Sequence, residues 1–97
     1  MAETDTVVKR VSEALGVPPD ELVRKGVEEF LEAHLRVCYA EIHELEVRYE
    51  VKSAGELREK IGKGVVREHP GWEDLIVLEN LEERAEKIRK ELRDLKS

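Results

Sequence analysis

The chain has no glutamine, a single asparagine at Asn80, one cysteine, three prolines and four aromatic residues among 97 positions. A lone cysteine, Cys38, excludes an internal disulfide and a four-cysteine metal site, so nothing points to an oxidising compartment. With only four aromatics the core must be assembled from Leu, Val, Ile and Ala, and at this length it will be thin, so association between chains is expected. No unbroken apolar run exceeds four residues, as in Leu75-Ile76-Val77-Leu78, far below the roughly 18 that a membrane span needs. The first residues show no basic-then-apolar leader, and a cytoplasmic protein is expected. Scarce amide side chains beside 41% charged residues are the bias of proteins from hot environments. A net charge of −6 repels phosphate backbones and anionic lipid, so nucleic acid would need a local basic patch, whereas a basic protein surface is a natural complement.

What is present is helical periodicity. Val7, Val8, Val11, Ala14 and Leu15 recur with helical spacing over residues 5–15, and Gly16 ends that helix as a C-cap. Pro18 and Pro19, followed by Asp20 and Glu21, open a second one, since proline suits the first turn and acids suit the positive end of the dipole. From there to Tyr49 runs a stripe of Val27, Leu31, Leu35, Cys38, Ile42, Leu45 and Tyr49 at steps of three and four. Some 30 residues span about 45 Å, too long for a compact monomer, so this stripe is expected to face another chain. Ser53 to Glu56 reads as a capping box that opens a short helix over residues 54–61, stopped by Gly62-Lys63-Gly64. Residues 65–71 read as a linker with a turn at Pro70-Gly71, in which Val65-Val66 could pair as a short strand. Residues 72–95 carry Leu78, Leu81, Ala85, Ile88, Leu92 and Leu95 as a second long amphipathic helix. Its charge is uneven: residues 68–83 hold six acids and no Lys or Arg, and residues 84–96 hold six bases against three acids.

Catalytic and metal chemistry find little support. His34 lies one turn before Cys38 and His43 five residues after it, which supplies two metal ligands at best where a closed zinc site needs four. Cys38 with either histidine lacks a strand-turn-helix elbow and an oxyanion hole, and no phosphate-cradling glycine motif occurs. The carboxylates fall at caps, in i, i+4 pairs and on wet faces. No catalytic residue, metal, cofactor or small-molecule substrate is therefore expected.

The run Leu15-Gly16-Val17-Pro18-Pro19-Asp20-Glu21-Leu22-Val23-Arg24, continuing to Phe30-Leu31, is similar to the two helices of ribbon-helix-helix antitoxins. Downstream, residues 44–51, the Ser53 helix and His69-Pro70-Gly71-Trp72-Glu73-Asp74-Leu75-Ile76 through Leu81 resemble the C-terminal region of small prokaryotic VapB-like antitoxins. The resemblance covers about residues 7–95 and implies neutralisation of a ribonuclease-like toxin by covering it. Residues 2–6 depart from it, offering no strand of alternating basic and apolar residues to lie in a DNA groove.

These readings converge on an all-α, single-domain fold of two long amphipathic helices and two short ones, forming a helical hairpin or bundle and dimeric. Residues 7–51 would hold the first two helices, 53–71 the short helix and linker, and 72–95 the last helix. The dimer interface is expected at Val27, Leu31, Leu35, Cys38, Ile42, Leu45 and Tyr49. A toxin-like protein partner is expected at Trp72, Leu75, Ile76 and Leu78, flanked by Glu73, Asp74 and Glu79, where an aromatic anchor sits beside carboxylates. A DNA-binding regulator and a structural helical adaptor are the alternative functions.

Overall fold

The computed structural model describes the backbone of residues 2–97 and the side chains of residues 3–97. Four helices follow one another: α1 (Ala2–Leu15), α2 (Pro19–Tyr49), α3 (Ala54–Gly62) and α4 (Glu68–Lys96), and among the described residues there is no strand. The all-α class with two long and two short helices is as the periodicity predicts.

Each boundary has a local cause. Gly16 adopts φ 68°, the left-handed conformation that glycine tolerates, and the Val17 N–H closes back on the Ser12 carbonyl at 3.1 Å. The Ser12 hydroxyl donates to the Val17 carbonyl, which ties the same turn from the other side. Pro19 then starts α2 with Asp20 and Glu21 in its first turn. At the far end Glu50 takes a left-handed conformation, φ 54°, and the Val51 N–H returns to the Glu46 carbonyl at 2.9 Å. The Lys60 ammonium donates to the carbonyls of both Tyr49 and Glu50, at 3.2 and 2.8 Å, closing that helix end from α3.

Ser53 caps α3 as expected, its hydroxyl accepting the Glu56 N–H at 3.1 Å, but the Glu56 carboxylate reaches the Lys52 N–H rather than that of Ser53. The expected strand at Val65-Val66 does not form, because both amides turn back to the Lys60 carbonyl at 2.9 and 3.2 Å and finish α3. Nor do Pro70 and Gly71 make a linker turn. His69 alone leaves helical geometry, and Pro70 and Gly71 lie in the first regular turn of α4. Gly71 is buried there, and the position suits glycine because a Cβ would meet Val66 and Ile61 at 3.2–3.3 Å.

α2 and α4 form an antiparallel hairpin. Cross-links fix its register: Arg48 to Asp74 at 3.4 Å at one end, Tyr39 with Arg89 at 2.7 Å, and Glu32 with Lys96 at 3.4 Å toward the other. Between them Cys38, Ile42 and Leu45 of α2 pack against Leu75, Leu78, Ala85, Ile88 and Leu92 of α4, with Val51, Ala54, Leu57 and Ile61 closing the α3 end. Glu82 of α4 accepts the free Ala54 N–H at the start of α3, at 2.9 Å. The stripe expected between two chains is thus filled largely by α4 of the same chain, which two short joints bring back along α2.

The molecule measures 60 × 27 × 19 Å with a radius of gyration of 19.3 Å, against about 12.5 Å for a compact domain of this length. It is a rod, with α3 at one end and α1 packed on α2 at the other.

Candidate protein-interaction surfaces

The seven residues expected to meet a partner divide in two. Leu75 and Leu78, at 1% and 0% exposure, belong to the core that joins α3 and α4 to α2, and that corrects their expected place on a partner surface. Trp72 and Ile76, at 36% and 56%, lie one turn apart on the outside of α4. Glu73 is exposed beside them and meets His69 Nδ1 at 2.8 Å. The remaining acids are committed to the fold. Asp74 accepts from the Tyr49 hydroxyl and from Arg48, and Glu79 meets Arg58 of α3 at 2.6 Å.

Of the six acids in residues 68–83, five have partners within the chain: Glu73, Asp74, Glu79, Glu82 and Glu83, the last with Lys87 at 3.3 Å. Asp74, Glu79 and Glu82 attach α2 and α3 to α4. Burial, then the hydrogen bond to Asp74 and its negative charge, raise the Tyr49 phenol to about 12, so it remains a donor to Asp74 at neutral pH. On the opposite side Arg89 bridges the Tyr39 hydroxyl and the Glu86 carboxylate, which it holds below the usual carboxylate range.

The expected dimer stripe also divides. Cys38, Ile42 and Leu45 are buried within the chain, Leu31, Leu35 and Tyr49 are half-buried against the same core, and only Val27 is exposed. Val27 belongs instead to a second, exposed stripe of α2 whose other members, Val23, Phe30 and Val37, the expected interface did not include; the four follow at steps of four, three and seven. The His34 ring, at the missing position, packs on Phe30 with centroids 4.3 Å apart. The heptad-like spacing could have revealed this face, but a stripe ending in the longer run to Tyr49 masked it. An open groove of about 770 Å³ between α1 and α2, lined among others by Val8, Ser12, Pro19 and Val23, adjoins the N-terminal end of the exposed stripe.

His34, Cys38 and His43 do not converge: Cys38 is buried in the hairpin, His34 lies against Phe30, and His43 faces solvent. Among the described residues no group of three or more His, Cys, Asp or Glu side chains could hold a metal ion, and no helix is long and apolar enough to cross a membrane.

No curated protein and no solved structure matches the chain. One family model does match it from end to end, over residues 1–97, and the chain belongs to the uncharacterized protein MJ0235 family.

Proposed function

We propose that this chain is a non-enzymatic protein-binding module whose α2–α3–α4 body presents the Trp72–Ile76 face of α4 to a partner protein. The observation that carries this reading is the placement of Trp72 and Ile76 outside a core that is complete without them. Large apolar side chains of this kind, next to an acid such as Glu73, supply desolvated contact area and orientation to an interface. The reading is tested by recovering partners of the tagged chain from its native host by crosslinking, with wild type and with Trp72→Ala and Ile76→Ala. A specific protein lost from both variants, with unchanged melting of the chain itself, supports it. An identical set from all three forms refutes it.

Neutralisation of a ribonuclease-like toxin is the more specific form of this proposal and rests on the sequence resemblance. The internal use of most of the acidic block leaves less free negative charge for a basic nuclease than the sequence suggests. Co-expression with the product of the adjoining reading frame, scored by growth and RNA integrity, tests that form. The DNA-binding alternative gains no support from residues 2–6, which lie in helix α1 and not in a strand that could enter a groove.

A further inference from the structure

We infer that a second copy of this chain docks on the α1–α2 end of the rod, burying α1 and the Val23, Val27, Phe30 stripe in an intermolecular helical bundle. Three observations carry this, and none depends on the Trp72 face.

The first is the helicity of α1. It has 14 residues, close to the length at which an isolated helix is marginal in water, and five of them, Thr4, Thr6, Val7, Val8 and Val11, are β-branched. Helices of this kind are held by tertiary packing. Yet among its described side chains only Ser12 is buried and Val8 and Val11 are half-buried, while Val7 and Leu15 are exposed, and the main packing of α1 is on α2. A cover is required.

The second is area. The folded chain exposes 7252 Å², whereas a compact monomer of its mass exposes about 5,700 Å². The excess, on the order of 1,500 Å², is larger than the roughly 800 Å² that each partner contributes to a standard stable interface. The large apolar groups responsible at this end, Val7, Leu15, Val23, Val27 and Phe30, lie on two adjoining helices, so one helical hairpin can seat against another.

The third is charge, and it selects the occupant. Glu3 and Arg10 are seven residues apart, on the same edge of the face formed by Val7, Val11 and Ala14. An antiparallel two-fold crossing centred near Val7 sets Glu3 of each chain beside Arg10 of the other, twice over. A patch with both signs of charge in this order is complementary to itself, as an isologous interface requires.

The test uses the full chain and light scattering at micromolar concentration, with far-UV circular dichroism as the control for folding. Wild type is expected at twice the monomer mass. Val7→Glu with Phe30→Glu, both at exposed positions and both good helix formers in the new residue, should give a monomer that keeps the α2–α4 hairpin. Glu3→Arg alone and Arg10→Glu alone should each weaken self-association by about tenfold, because two attractions become two repulsions. An equimolar mixture of those two variants should restore the dimer, since every contact is then between opposite charges. A strictly monomeric wild type overturns the inference. So does a dimer indifferent to the Val7 and Phe30 substitutions, or one dissociated by Trp72→Ala instead.

Discussion

Leu78 and Ile76 are two residues apart on α4 and close to equal in apolar size, but the fold uses them in opposite ways. Leu78 is fully buried where α2, α3 and α4 meet, and Ile76 is 56% exposed. Truncating Leu78 to Ala removes buried methyl groups and leaves a cavity that a junction of three helices cannot collapse, at a cost of about 3 kcal/mol. A domain of this length has a total stability of roughly 5–15 kcal/mol, so the loss is a large share of it. It should lower Tm by on the order of 15 °C. Ile76→Ala removes exposed surface and substitutes a better helix former, so its effect should lie within about 0.5 kcal/mol of zero. Thermal and urea unfolding followed by far-UV circular dichroism measure both, and an unchanged urea dependence would show that the same structure is being lost. Equal effects from the two truncations, or a harmless Leu78→Ala, would refute the hairpin packing and with it the separation of core from free surface on α4.

Three further outcomes follow from local geometry. Glu50→Gly should stabilise the chain by about 0.5–1 kcal/mol, read from urea unfolding, because a side chain at φ 54° carries a steric penalty that glycine avoids. Gly71→Val should destabilise it by about 2 kcal/mol, since even a Cβ there meets Ile61 and Val66 at 3.2–3.3 Å, and a melting curve unchanged by this substitution would place Gly71 elsewhere. The Tyr49 phenol, raised from 10.0 to about 12, keeps its proton in the folded state over a range where the unfolded chain has lost it. Stability should therefore be fully held below pH of about 10 and fall as pH rises toward about 12. Tyr49→Phe should remove that fall and, in an ultraviolet titration, the phenol step at about 12.

Much of this architecture is legible in residue spacing. Gly16, the Pro18-Pro19 pair and Ser53 mark helix ends because their conformations are decided within a few residues, and Cys38, Ile42 and Leu45 declare a buried face by period. What period does not encode is which surface covers that face. The α2 stripe reads equally well against a second chain or against α4, and the choice is made by joints at residues 50–53 and 63–67 whose hydrogen bonds return the chain on itself. Leu75 and Leu78 shared an apolar run with Ile76, and only the direction of α4 against α2 and α3 sorts them. Asp74, Glu79 and Glu82 likewise read as a free acidic surface until Arg48, Arg58 and the Ala54 N–H, all distant in sequence, are brought beside them.

The Lys60 ammonium that closes the end of α2 gives the rod two ends of unequal mechanical character. A nine-residue helix such as α3 has no stability alone, but here it is latched to α2 through Lys60 and to α4 through Glu82, so none of the three can fray there without releasing the others. The opposite end of the hairpin is held by the Arg24 contact to the Leu95 carbonyl, the Lys96–Glu32 pair and the packing of half-buried Leu31 and Leu35 against the core that includes Leu92. Backbone amides should accordingly exchange with solvent along a gradient, slowest around Leu57 and Leu78 and fastest in α1, and force applied to the two termini should unzip the rod from the α1 end, with the α3 latch the last element to give.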